Sequence, residues 1–113
     1  MEQTPRFNII YTEEALNFLM SLSEKAKAKV VYNIGKSRFV LDNTLFKKLE
    51  NTDIWEFRTI YGGMAYRLFA FWDTEADALV IVTHGITKKT QKTPPKEIAK
   101  AEAKRIEYFR NKK

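Results

Sequence analysis

At 113 residues, 44% hydrophobic and 30% charged, the chain is long enough for one buried core and too short for two, so a single domain over 1–113 is expected. No apolar run approaches the roughly 18 residues of a membrane span. The opening MEQTPRFNII lacks a basic stretch followed by an apolar one, and there is no cysteine for disulfide or thiolate chemistry, so a cytoplasmic protein without membrane association is expected.

The net charge of +6 is uneven. From His84 to Lys113 ten Lys or Arg stand against three Glu, a balance of +7, whereas the first 83 residues carry ten cations and eleven acids, a balance of −1. A basic end of this kind suits a polyanionic or acidic partner, and it equally suits a solvated lysine-rich helix.

In chain order, the apolar run Phe7 to Tyr11 reads as a short first or edge strand. Thr12 followed by Glu13 and Glu14 reads as a helix cap with acids in the first turn, and Ala15, Leu16, Leu19 and Met20 are spaced as one buried face. Ser23 offers a second cap, and Val30, Ile34 and Leu41 extend an apolar stripe through a longer second helix that Asp42 and Asn43 end. The two helices form a hairpin. Gly35 lies inside the second one, where glycine costs about 1 kcal/mol relative to alanine. Thr44 to Asp53 is a connector containing two lysines.

From Ile54 to Tyr61 the pattern alternates, with Trp55, Phe57, Thr59 and Tyr61 on a core face and Ile54, Glu56, Arg58 and Ile60 on the other. Gly62 and Gly63 suit the two central positions of a hairpin turn, which pairs Tyr61 with Met64 and sets Arg58 directly across from Arg67. Met64, Tyr66, Leu68, Ala70 and Trp72 then share the core face, and Ala65, Phe69 and Phe71 lie with the two arginines. A third strand spans roughly Ala78 to Ile86 after a turn from Asp73 to Asp77. With Asp73 opposite Ala78, His84 falls beside Arg67, and a slip of one residue sends it to the other face. Thr93 and Pro94 read as cap and first residue of a last helix that runs to about Arg110, with Ile98, Ala101, Ile106 and Phe109 as its apolar stripe. The order β-α-α-β-β-β-α describes an α+β domain.

Like charges set opposite each other weaken a sheet by up to roughly 1 kcal/mol. An anion held between Arg58 and Arg67 resolves the conflict, and a planar guanidinium pair suits the two oxygens of a phosphate. The competing reading is an arginine paired with Glu56 or another acid. His84 has the one side chain that ordinarily titrates near neutrality, which makes it the natural proton donor or acceptor, with Lys89 in the cationic cluster as a rival and Glu56 as a lesser one. Lys88, Lys89 and Lys92 precede the last helix and suit a nucleic-acid backbone. Tyr61 and Tyr66 fall on the core face, and Phe69 and Phe71 either pack beneath the last helix or meet a base. One histidine and no cysteine make no zinc site, and neither a glycine-rich phosphate loop nor a Gly-x-Ser-x-Gly elbow is present.

This element order, with WEFR at 55–58, YR at 66–67 and THGITKKTQKTP at 83–94, resembles the RelE/HigB-like toxins of bacterial type II toxin-antitoxin systems, the phage-derived HigB-like branch above all. The likeness covers nearly the whole chain, and KKTQKTP leading into a helix is its most specific part. It implies a RelE-like fold, with an antiparallel sheet, the helix hairpin on one face and a C-terminal helix. It also implies metal-independent cleavage of mRNA on the ribosome by attack of a 2′-hydroxyl, with no cofactor, and neutralisation by a small helix-turn-helix antitoxin of HigA-like type. Arg58, Arg67, His84 and Lys89 are then the expected catalytic residues, and Lys88 and Lys92 the expected RNA contacts. The alternatives are a ParE-like toxin that poisons gyrase without nuclease activity and a non-catalytic basic module that binds RNA or protein.

Overall fold

A computed structural model describes residues 4–89 and 92–112. Thr90 and Gln91 of the KKTQKTP element lie outside these described residues. Hydroxyl caps start the first two helices: Thr12 Oγ1 accepts from the Ala15 amide at the head of α1 (Glu13–Met20), and Ser23 Oγ accepts from Ala26 at the head of α2 (Glu24–Ser37). The second helix stops before the apolar run Phe39 to Leu41, and Leu41 is solvent-exposed rather than part of a buried stripe. On α1 the buried residues are Ala15 and Leu19, while Leu16 and Met20 face outward.

The strands are β1 (Asn8–Tyr11), β2 (Phe46–Lys48), β3 (Trp55–Tyr61), β4 (Met64–Trp72) and β5 (Leu79–Lys88), joined in the order β1-β5-β4-β3-β2. Two features depart from the expected antiparallel sheet. The first strand pairs with β5 in parallel, Ile10 opposite Ile81, a contact between distant segments that no turn signal announces. A three-residue strand, β2, lies within the stretch read as a connector: Phe46 anchors it in the core, with Lys47 and Lys48 exposed.

The β3–β4 hairpin has the expected register, Tyr61 opposite Met64 and Arg58 opposite Arg67. Gly62 and Gly63 both adopt positive φ, +59° and +79°, as a two-residue turn of this hand requires. Between β4 and β5 the register shifts once: Ala70 pairs with Val82 but Phe69 with His84, leaving Thr83 as the extra residue of a bulge. The expected pairing of Asp73 with Ala78 gives way to a bond from the Asp73 amide to the Leu79 carbonyl. Gly85, next to the bulge, carries no side chain because a Cβ there would lie 2.4 Å from the Phe18 ring of α1.

Both faces of the sheet are covered. Helices α1 and α2 press on one, burying Ala15, Leu19, Val30 and Ile34 against Phe57, Leu68, Ala70, Val80 and Val82, with Phe46 and Phe57 stacked at 4.1 Å. The last helix, α3 (Pro95–Asn111), covers part of the other face, where Ala101, Ile98, Tyr108 and Phe109 meet Ile54, Phe69, Phe71 and Ile81. Ile106, expected in that stripe, is half exposed, and Tyr108 takes its place. The helix starts one residue later than expected, with Pro94 at the cap position and Pro95 first, so the Thr93 hydroxyl caps nothing.

Candidate functional site

The α3 side of the sheet has two zones, a buried polar network under the start of α3 and an open cationic rim toward the β3–β4 hairpin. In the network, Arg67 Nη1 donates to Glu56 Oε1 at 2.8 Å and to Thr93 Oγ1 at 3.1 Å, and Thr93 Oγ1 donates to Glu56 Oε2 at 2.8 Å. Arg67 is 1% exposed and Glu56 fully buried. The hydroxyl expected to cap α3 thus closes a triangle of hydrogen bonds around an ion pair. Desolvating two charges costs several kcal/mol each, and close pairing of this kind offsets it. Arg67 does face Arg58 across the strands, as its register predicts, but its guanidinium is neutralised by the carboxylate on β3.

The bulge brings His84 to this same face. Its ring stacks on Phe69 at 4.9 Å, Nδ1 lies 2.8 Å from Thr83 Oγ1, and Nε2 lies 3.2 Å from Glu97 Oε1 in the first turn of α3. Burial lowers the His84 pKa and the nearby Lys100 ammonium adds to this, against the opposing pull of Glu97. Nε2 can donate to Glu97, while the single proton of the Thr83 hydroxyl has two acceptors within reach, His84 Nδ1 and the Phe69 carbonyl at 3.2 Å. His84 therefore shares the arginine face, diagonally along the strands from Arg67, but it is 1% exposed.

The rim is accessible. Lys47 pairs with Glu56 across β2 and β3, Arg58 with Arg67, and Lys88 with Ala65, so all three side chains rise from the α3 side of the sheet where α3 does not reach. Lys47 and Lys88 are exposed and Arg58 partly so, with Ile60 half exposed between them. Lys88 ends β5 rather than lying in the loop, and Lys89 and Lys92 are exposed just beyond it. Among the described residues none of these five cations is ion-paired. An open sheet surface with unneutralised cations attracts polyanions and tracks their backbone charge.

Polar ties hold α3 over the network. Lys100 and Lys104 both bind Glu14 of α1, holding its carboxyl down to about 2 through those hydrogen bonds. At the far end Tyr108 and Lys112 donate to Asp73 at 2.6 and 2.7 Å. Burial alone would raise the Asp73 pKa, yet these bonds bring it to about 2.

Sequence reading set Arg58 across from Arg67, left the face of His84 open and put Lys88, Lys89 and Lys92 in the loop before the last helix; in the structure Arg58, Arg67, His84 and Lys88 share the α3 side of the sheet, with Lys89 and Lys92 beyond the end of β5. It missed Glu97, whose signal was an acid in the first turn of the helix after a basic loop, and Lys47, one of the two lysines in the connector. Among the described residues no three His, Cys, Asp or Glu side chains gather as metal ligands do, and no helix is long and apolar enough to cross a membrane.

Residues 17–105 match the family described as phage derived protein Gp49-like (DUF891). No curated protein matches the chain. Among solved structures, the free Escherichia coli toxin RelE, in a form with two arginines replaced by alanine, is 17% identical over 91% of this chain and 99% of its own, with a TM-score of 0.62. The RelBE2 toxin-antitoxin complex of Mycobacterium tuberculosis is 20% identical over 73% of this chain and 96% of the matched one, with a TM-score of 0.55. The intact E. coli RelBE complex is 18% identical over 76% and 99%, with a TM-score of 0.53.

Proposed function

Because the chain belongs to the Gp49-like phage-derived family, of the RelE/HigB toxin type and with a RelE-like fold, we propose that it is a cytoplasmic toxin that cleaves mRNA on the translating ribosome. The observation that carries this is the cationic rim, where Lys47, Arg58 and Lys88 on the face of Arg67 and His84, with Lys89 and Lys92 just beyond β5, have no ion pair among the described residues.

In this reading the rim holds the RNA backbone and sets a phosphate over the strands. A 2′-hydroxyl attacks the adjacent phosphorus, and charge gathers on the non-bridging oxygens and the leaving 5′-oxygen. Arg58 and Lys89 stabilise that charge directly. Arg67 and His84 reach the linkage when Thr93 and the first turn of α3 lift, with a phosphate oxygen replacing Glu56 at Arg67 and His84 Nε2 freed from Glu97 to move a proton. The ribosome supplies the positioning that makes the lift worthwhile. A small helix-turn-helix antitoxin of HigA-like type is the partner in this reading, as the related folds were solved in toxin-antitoxin complexes.

Brief expression in a bacterial cell tests the proposal. Growth should stop and transcripts should be cut inside reading frames, with both effects relieved by Arg67→Ala. Since that change strands a buried carboxylate, Arg58→Ala provides the variant that keeps the fold, and it too should relieve both effects. Arrested cells with intact transcripts refute the proposal, and DNA-damage signalling in those cells would instead indicate a gyrase poison.

A further inference from the structure

On the opposite margin of the molecule β1 ends the sheet with one side open. The amides of Asn8 and Thr12 donate to the Ala78 carbonyl just before β5 and the Val82 carbonyl within it, so by alternation the backbone groups of Ile9 and Tyr11 point away from the sheet. Beside this edge runs a groove of about 320 Å³ between β1 and α2, lined by Ile9, Tyr11, Val31, Ile34, Gly35 and Arg38.

Three observations converge on it. Gly35 sits in the last turn of α2, two residues before Ser37 ends it, and a Cβ there would meet nothing within 4 Å, so packing inside this chain does not call for glycine. Apolar side chains flank the open edge on both faces, Val31 at 48% exposure on the α2 side and Ile10 at 51% on the α3 side. Arg38 lines the groove and donates to the Phe7 carbonyl and Asn8 Oδ1, while Arg6 donates to the Ser37 and Val40 carbonyls, and among the described residues neither arginine is ion-paired.

We propose that this edge and groove bind an extended segment of a partner protein as an added strand, with alternating apolar side chains and at least one acid. The strand's backbone pairs with Ile9 and Tyr11, one of its side chains lies over Gly35, its apolar faces cover Val31 and Ile10, and its carboxylate meets Arg38. A second copy of the chain is the poorer occupant. Pairing two β1 edges would bring two α2 helices together, each carrying Lys25, Lys27, Lys29 and Lys36 against a single Glu24.

A phage-displayed library of random twelve-residue peptides, selected on the full chain, tests this, with Gly35→Leu as the comparison because it fills the groove without disturbing the fold. Recovered peptides should alternate apolar and acidic residues and bind the wild type at least about tenfold more tightly than the variant, a gap of about 1.4 kcal/mol. Peptides that bind both proteins equally, basic peptides, or an empty selection overturn the proposal. So does a wild-type dimer in sedimentation that becomes monomeric in Gly35→Leu, which would assign the edge to a second copy.

Discussion

The two faces of the sheet are buried to a similar depth with opposite chemistry. Under α1 and α2 the contacts are mainly aliphatic and aromatic, and the buried polar side chains there, Ser37 and Thr59, carry no charge. Under α3 the buried set includes Glu56, Arg67, Thr83, His84 and Asp73, and of α3 itself only Ala101 is fully buried. The first face gains stability from area removed from water. The second holds charges that must be matched one by one, which costs stability and places reactive groups beneath a helix held by ion pairs as well as by apolar contacts. A fold can thus keep its strength on one side of a sheet and its chemistry on the other.

Substitutions on each side separate the two. Phe57→Ala should be the most damaging, lowering stability by about 4 kcal/mol through lost transfer energy and a cavity beside Phe46, read from urea unfolding. Glu56→Ala should cost about 3 kcal/mol, since Arg67 is left charged and buried. The double change Glu56→Leu with Arg67→Leu should restore most of that loss. If the double change is as unstable as the single one, the polar side is not merely a matched pair and the contrast breaks.

Smaller effects sharpen the comparison through pH. Asp73→Asn should cost about 2 kcal/mol by weakening the bonds from Lys112 and Tyr108. Because Asp73 falls from its ordinary 3.8 to about 2, its stabilisation is present above pH 4 and lost as pH drops toward 2. For His84 the sign follows from a lowered pKa of a base. The unfolded chain takes up a proton near pH 6.5 that the folded chain refuses, so stability falls as pH drops below that point. Thermal melts between pH 7.5 and 5 should show this loss in the wild type and less of it in His84→Gln.

Local pattern carried far into the fold and partway into the site. Thr12 and Ser23 announced both helix starts because a hydroxyl cap acts within three residues, and Gly62–Gly63 set the hairpin because only that pair accepts two positive φ values at low strain. Alternation then placed Arg58 opposite Arg67 and sorted aromatics from arginines by face. Thr93 misled for a related reason: it has the right chemistry for a cap, but Glu56 and Arg67 offer its hydroxyl stronger, charged partners.

The sequence by itself determined the two faces, the hairpin register and the basic end, since each depends on neighbours a few residues apart. Tertiary structure alone decided the parallel seat of β1, the bulge at Thr83 that brings His84 to the arginine face, and the pairing that shields Arg67 with Glu56 and Thr93. These join residues far apart in the chain, and whether a charge meets solvent or a carboxylate is settled only when the strands and the last helix have closed around it.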